Sequence, residues 1–312
     1  MDQLSRIGYF VIILNFNSSK DTVSLYKDLI SYGMESKAIL VIDNHSKPFE
    51  IEYLKENIPQ NRLILNEKNH GYAGGNNIGI ACAIKEGARY IWILNPDIRV
   101  EPETIDVLLA FIESDEKLAA VGARTCERAR PTKIYYDGGY INATDHYKVT
   151  LRNFGRDIHE CDDEDVEDVD YVVGSCILMR LETVRSIGAF NETFFLYYEE
   201  ADWCLRAKKR GWKLGVTTRT TVYHAPSEKK QTYHYYMSRN RIRFIKLHSN
   251  SPTKHISYYF KKMGSELLRS VRTAKLPQNY YWTRLKGMLI GIFPERLFES
   301  SGSSAFLHGR QF

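Results

Sequence analysis

The sequence predicts an α/β protein, in which a mostly parallel sheet flanked by helices is followed by a basic, mainly helical extension. Three observations predict it. Short, fully apolar runs rich in β-branched residues recur through the first 125 residues, and helical stretches separate them. Most of these runs end abruptly in polar residues, as strands do at the functional edge of an open α/β sheet. Charge also divides the chain: residues 229–312 carry 16 Lys and Arg against three Asp and Glu, a net of +13, while residues 1–228 carry a net of −8.

The elements follow in order. Tyr9–Leu14 reads as a strand buried on both faces, ending at Asn15-Phe16-Asn17, and Asp21–Tyr32 reads as a helix. Ala38–Ile42 is a second strand, ending at Asp43-Asn44-His45-Ser46, and a polar helix leads to a short strand at Leu63–Leu65. Ala73–Glu86 is a helix entered through glycines and closed by Gly87. Tyr90–Leu94 is a strand ending at Asn95-Pro96-Asp97, Glu103–Ser114 a helix, and Ala119–Ala123 a strand. This βαβαβαβαβ order calls for a parallel sheet with helices on both faces. From Lys133 to about Asp170 the pattern loosens, and the acidic run Asp162–Asp170 is expected to be a solvated surface loop. Tyr171–Met179 reads as a strand, Tyr198–Arg210 as a helix closed by Gly211, and Lys213–Val216 and Thr221–His224 as two short strands. Residues 1–228 are thus expected to form an acidic α/β body, with a distinct region from about residue 170, and residues 229–312 the helical extension.

Composition narrows the class. The chain has 312 residues, 43% hydrophobic and 26% charged, ordinary for a globular protein able to build a core without disulfides. The five cysteines include no CxxC pair, which disfavours a disulfide framework or zinc ribbon and points to a reducing, cytoplasmic setting. The apolar run at the start is too short for a signal peptide, and no segment reaches the length of a membrane-spanning helix.

The strand ends carry the chemistry. His70-Gly71-Tyr72-Ala73-Gly74-Gly75-Asn76-Asn77 is a glycine-rich helix entry whose amides can approach a phosphate. It does not follow the first strand as GxGxxG, and no GxxxxGK[ST] loop is present, which disfavours a nicotinamide site or a P-loop enzyme. Asp97 can place a carboxylate beside a divalent cation, and His224 ends the last strand as a candidate second ligand. Glu199, Glu200 and Asp202 open a helix behind Phe194-Phe195-Leu196-Tyr197-Tyr198. Asp202 is spaced to pair with Arg206, while a carboxylate among aromatic side chains can act as a general base.

In order along the chain, Val11–Asn17, Val41–Ser46, Asn69–Asn77, Leu94–Asp97, Gly188–Glu192, Glu199–Arg206 and Tyr236–Asn240 resemble the motifs of the family 2 inverting glycosyltransferases of GT-A fold, and within them the rhamnosyltransferase-like group of bacterial surface polysaccharide synthesis. The resemblance implies that Asn15, Asp43 and Asn44 line the base and ribose pocket. It implies that Gly71, Gly74, Asn76 and Asn77 belong to a loop closing over the nucleotide. Asn95 and Asp97 stand in the place of the DxD element, with Asp97 and His224 as ligands of Mg2+ or Mn2+ and Asn95 in place of the first acid. Glu200 matches the base, with Glu199 and Asp202 as its fallbacks, since a Glu-Glu pair replaces the expected Glu-Asp. Arg239 is placed near the diphosphate. The donor implied is a nucleotide sugar, with dTDP-L-rhamnose favoured, and the acceptor a glycan or a lipid-linked glycan.

The basic, aromatic tail suits a peripheral protein on the anionic inner face of the plasma membrane, or else a subdomain packed on the body. Rival readings are a nucleotidyltransferase on a similar sheet and a nucleic-acid-binding protein using the tail. The first lacks a Gly-rich early loop with basic residues for a triphosphate. The second leaves the acidic body unexplained, and no nucleic-acid partner is expected.

Overall fold

The computed structural model describes residues 8–225, 229–273 and 278–293. The chain divides into two units: residues 1–142 with 148–227, and residues 143–147 with 228–312.

The first unit begins with β1 (Tyr9–Asn15), α1 (Ser19–Ser31), β2 (Ile39–Asp43), α2 (Pro48–Asn57) and β3 (Leu63–Leu65). It continues with α3 (Gly71–Lys85), β4 (Tyr90–Leu94), β5 (Ile98–Arg99), α4 (Thr104–Ser114) and β6 (Leu118–Glu127). Then come β7 (Arg130–Tyr136), β8 (Gly139–Asn142), β9 (Lys148–Leu151) and β10 (Asp165–Glu167). It closes with β11 (Cys176–Arg180), α5 (Leu181–Ile187), α6 (Glu199–Lys208) and β12 (Lys213–His224).

The main sheet runs β10-β12-β6-β11-β4-β1-β2-β3, with β5 on β12 and β7 on β6. The pairs β4–β1, β1–β2, β2–β3 and β12–β6 are parallel, and β11 is antiparallel to both its neighbours. Alternation along β1 explains the burial. Phe10, Ile12 and Leu14 join one core with Ile80 and Ala83 of α3 and Trp203 of α6; Val11 and Ile13 join the other with Leu25 of α1 and Leu108 of α4. Helices therefore cover both faces, and the polar strand ends are left along one edge.

Three expectations need correction. The acidic run is at the surface, as expected, but not all loop: Asp165–Glu167 is the edge strand β10, paired with β12, and its acids meet Lys213 and Arg219. Nearby, Asp163 bonds Arg124 and Asp168 and Asp170 bond Lys208. Cations drawn from three separate elements, β6, α6 and β12, neutralise the run, which a charge count along the chain cannot reveal. The two short strands after Gly211 are one strand, β12, whose register slips between Thr217 and Thr221. The strand expected from Tyr171 begins only at Cys176; Tyr171 makes a single bridge to Gly139.

The second unit consists of α7 (Gln231–His248), α8 (Pro252–Thr273), α9 (Gln278–Ile292) and the loop 143–147 between β8 and β9. Helices α7 and α9 pack closely because two glycines permit it. A Cβ on Gly287 would stand 2.5 Å from the Tyr235 carbonyl, and one on Gly291 2.6 Å from that of Arg239. The Tyr147 hydroxyl donates to the His248 carbonyl at 2.9 Å, and His146 stacks on Tyr258 at 3.7 Å. Among the described residues no helix is long and apolar enough to cross a membrane. The part of the expected extension beyond Phe293 lies outside the described residues.

Candidate functional site

The sheet register brings the first strand ends together. Asn15 is level with Asp43 across the β1–β2 pair. The Asn15 amide donates to Asp43 at 2.7 Å and to the Ser46 hydroxyl at 3.0 Å, and its carbonyl accepts from Thr22 at 2.7 Å. The other Asp43 oxygen accepts from the Ser46 amide at 2.9 Å. Both side chains are wholly buried, so they form the floor of this edge. Ser46 and Thr22, which hold them, carry no signal in the sequence beyond being small and hydroxylated.

Asn44 is the tie between β2 and the glycine-rich segment. Its amide donates to Asn69 and to the Gly71 carbonyl, both at 2.9 Å, and its oxygen accepts from Asn66 and from the His70 amide. All four of its hydrogen-bonding positions are thus used within the protein.

The glycine-rich segment is the first turns of α3 rather than an open loop. Gly71 has φ +72°, and a Cβ there would stand 2.3 Å from the Phe195 carbonyl. That carbonyl accepts the Tyr72 amide at 2.6 Å, so this amide is spent on the segment before α6 rather than left open to a phosphate. Gly74 faces His70, and a Cβ on Gly75 would meet Leu14 at 2.5 Å. Close approach of helix to strand therefore accounts for Gly75. Asn76 donates to the Tyr72 carbonyl at 3.0 Å, and its side-chain oxygen is buried with no hydrogen-bond partner. Asn77 clasps the Gly188–Glu192 segment, donating to the Phe190 carbonyl and to Glu192 at 2.9 Å and accepting the Phe190 amide at 3.0 Å.

Helix α6 is approached through a strained turn. Phe195, Tyr197 and Tyr198 have φ of +65°, +68° and +77°. Non-glycine residues rarely adopt this region, and such strain gathers at functional sites. The helix is anchored from behind: Asp202 accepts from Arg206 at 2.8 Å, and Arg206 also donates to the carbonyls of Ile187 and Ala189. Asp202 is therefore the ion-pair partner that its spacing suggests. Glu199 is buried.

Glu200 follows Glu199 in the first turn of α6. One of its carboxylate oxygens is buried with no hydrogen-bond partner. Burial pushes its pKa up, against the amides of Glu200, Ala201 and Gly174 and the Tyr171 hydroxyl, which favour the charged form. Three tyrosines surround it. Tyr72 donates to the Gly174 carbonyl at 2.6 Å and Tyr136 to the Tyr171 carbonyl at 2.5 Å. Burial raises the hydroxyl pKa of Tyr72, Tyr136 and Tyr171, and the Glu200 charge raises each further. Tyr136 and Tyr171 escape a motif-based reading because they lie in the irregular region before β11.

The remaining ligand candidates meet at the other end of the edge. Pairing of β12 with β5 sets His224 opposite Ile98, which places its Nε2 3.2 Å from an Asp97 carboxylate oxygen. The His224 Nδ1 is buried without a partner, and its ring lies 5.4 Å from that of Tyr135. One carboxylate oxygen and one imidazole nitrogen at this spacing fit two adjacent positions of an octahedral cation. Among the described residues no group of three or more His, Cys, Asp or Glu is suited to a metal. Two protein ligands with the rest supplied by phosphates and water is the usual arrangement for such ions. Asn95 begins the Asn95–Ile98 turn; its amide donates to the Ser175 carbonyl at 2.9 Å. Arg239 belongs to the second unit. It is buried on α7, where its Nε donates to Asn240 at 2.9 Å and its guanidinium lies 4.7 Å from the Tyr236 ring centre.

Comparison with known proteins places this edge in context. A sequence model of Glycosyl transferase family 2 matches residues 10–188, more than half of the chain. Among curated relatives, the low-salt glycan biosynthesis hexosyltransferase Agl10 of Haloferax volcanii is 28% identical over 66% of this chain, which spans 63% of that protein. The dTDP-rhamnosyl transferase RfbF of Shigella flexneri is 23% identical over 70% of each. The N-acetylglucosaminyl-diphospho-decaprenol L-rhamnosyltransferase of Mycobacterium tuberculosis is 24% identical over 65% of this chain and 75% of its own. GalNAc-T7, solved with UDP, GalNAc and Mn2+, superposes with a TM-score of 0.62 at 14% identity, covering 97% of this chain and 59% of its own. The mannosyltransferase PcManGT of Pyrobaculum calidifontis, solved with GDP-Man and Mn2+, gives 0.54 at 12% identity, covering 96% and 90%. These two likenesses establish the GT-A type of fold, and the match along the sequence establishes kinship: the chain belongs to glycosyl transferase family 2.

Proposed function

We propose that the protein transfers a sugar from a nucleoside-diphosphate sugar to an acceptor hydroxyl, with inversion and with Glu200 as the base. The observation that carries the reading is the Glu200 carboxylate, with one oxygen buried and unpartnered at the start of a helix entered through a strained turn. Glu200 accepts the proton of the acceptor hydroxyl as that oxygen forms its bond to the anomeric carbon. The bond from that carbon to the diphosphate breaks on the opposite face, and the nucleoside diphosphate departs with the electron pair. Asp97 and His224 would hold a divalent cation, Mg2+ or Mn2+, which neutralises the departing diphosphate when bound. Asn15, Asp43 and Asn44 hold the floor beneath the nucleoside, and Asn77, Gly71 and Gly74 keep α3 clasped to the segment that delivers Glu200. Tyr72, Tyr136 and Tyr171 keep the base partly dry.

The relatives support dTDP-L-rhamnose as donor, through RfbF, and a lipid-linked diphosphate glycan as acceptor, through the mycobacterial enzyme. Cell-surface polysaccharide synthesis at the inner face of the plasma membrane is the setting this implies. A thermal-shift panel of dTDP-, UDP- and GDP-sugars, with and without Mn2+, tests the donor site. A ligand that binds only the folded state at a hundred times its Kd stabilises by about 2.7 kcal/mol. One nucleotide class should raise Tm, and more so with Mn2+. No shift with any of them would overturn the reading.

A further inference from the structure

The helices α8 and α9 expose faces that glycosyl transfer does not account for. On α9, Trp282, Lys286 and Leu289 are exposed at intervals of four and three residues, which sets them in one stripe, and Phe293, exposed just past the helix end, follows four residues on. Trp282 is 66% exposed, the opposite of its expected place in a core. The opposite side of α9 is closed: Gly287, Met288, Ile290 and Gly291 are buried. On α8 the exposed positions Lys254, Tyr258, Lys261, Lys262, Leu268 and Arg269 also follow helical spacing, while His255, Tyr259 and Met263 are buried. The acid within these two helices, Glu266, is held by Arg284 of α9 at 2.6 Å. Among the described residues the exposed faces therefore present lysine, arginine, tryptophan, tyrosine and leucine, and their one carboxylate, Glu266, is ion-paired.

We propose that this surface lies on an anionic phospholipid bilayer, with Trp282 and Leu289 of α9 entering the headgroup region and Lys254, Lys261 and Lys262 of α8 meeting the lipid phosphates. Charge complementarity selects the occupant. A net of +13 over residues 229–312 attracts an anionic surface, and the exposed apolar stripe of α9, which itself carries Lys286, adds a gain that only an interface with an apolar interior provides. Tryptophan is the side chain most at home at that depth. Nucleic acid would satisfy the cations but leave Leu268 and Leu289 without a partner. The inference does not depend on which sugar is transferred.

Trp282 supplies its own probe, because Trp92 and Trp203 are fully buried and Trp212 is packed against the core of the first unit, while Trp282 is 66% exposed. The full chain should co-sediment with vesicles of phosphatidylcholine and phosphatidylglycerol and not with phosphatidylcholine alone. Brominated lipid should quench part of its tryptophan emission, and the Trp282→Tyr variant should lose that quenching. The Lys261→Glu/Lys262→Glu variant should bind vesicles at least tenfold more weakly while keeping its circular dichroism and its nucleotide-induced thermal shift. Binding without quenching would overturn the proposal in favour of simple charge attraction. Retention on RNA with no affinity for vesicles would overturn it in favour of a nucleic-acid surface.

Discussion

The chemistry of Glu200 follows from where its carboxylate sits. Burial favours the protonated acid, so its pKa lies above the ordinary 4.5. A base must be unprotonated, so kcat/KM should fall as pH drops through that raised value, with an acid limb above the range of an exposed carboxylate. Tyr171 donates to the charged form and lowers the pKa. Tyr171→Phe should therefore move the acid limb further up in pH, and a pH–rate profile of both proteins reads it. A purely structural tyrosine would lower activity without moving the limb. At this scale the sequence was informative about identity and less so about role. Asn15, Asp43, Asn44 and Asn77 are legible as polar residues at strand and helix ends. Their partners are not, since Asn44 reaches residues 66–71 and Asn77 reaches residues 190–192. Such pairings exist only once the sheet is assembled.

At the scale of elements, the contact of α3 with the turn before α6 is the joint on which the site depends. Gly71 permits it twice, through its positive φ and through the 2.3 Å approach of the Phe195 carbonyl. A left-handed conformation costs a residue with a Cβ about 1–2 kcal/mol, before the clash is counted. Gly71→Ala should lower stability by at least that much in urea unfolding and should reduce transfer more than it reduces nucleotide binding. The strands β1, β2 and β4 were readable because each is a short, β-branched apolar run bounded by polar turns, the pattern of a strand buried on both faces. β12 was split in two because its slip at residues 217–221 interrupts the apolar pattern, and β10 was missed because its stabilising cations come from elsewhere in the chain. In the second unit, burial and the neighbouring His146 and Lys254 lower the pKa of His255 below 6.5. His146 Nδ1 lies 3.1 Å from His255 Nδ1, and Tyr147, Tyr258, Tyr259 and His248 complete the surroundings. The unfolded chain binds this proton more readily than the folded one, so stability here is present above pH 6.5 and is lost as pH falls through the lowered value. Thermal unfolding followed between pH 7.5 and 5.5 should show this loss, and His255→Phe should reduce it.

The whole molecule joins an acidic α/β unit to a basic helical one. That division was visible as a change of charge near residue 228, because net charge sums over a segment whatever its fold. The assignment of residues 143–147 to the helical unit was not visible, since it depends on contacts made a hundred residues later. Removal of residues 250–312 should uncover the face of α7 on which Gly287 and Gly291 pack, and should reduce helix content by more than the deleted residues account for. Circular dichroism measures it. The central claim concerns the base, and Glu200→Gln tests it most directly. The amide keeps the shape and removes a buried charge, so Tm should hold or rise while donor binding survives. Loss of general-base catalysis costs about 10²–10⁴-fold. The account predicts nucleotide binding within a few-fold of wild type and turnover reduced by at least about a hundredfold; unchanged turnover in a folded, donor-binding variant would contradict it.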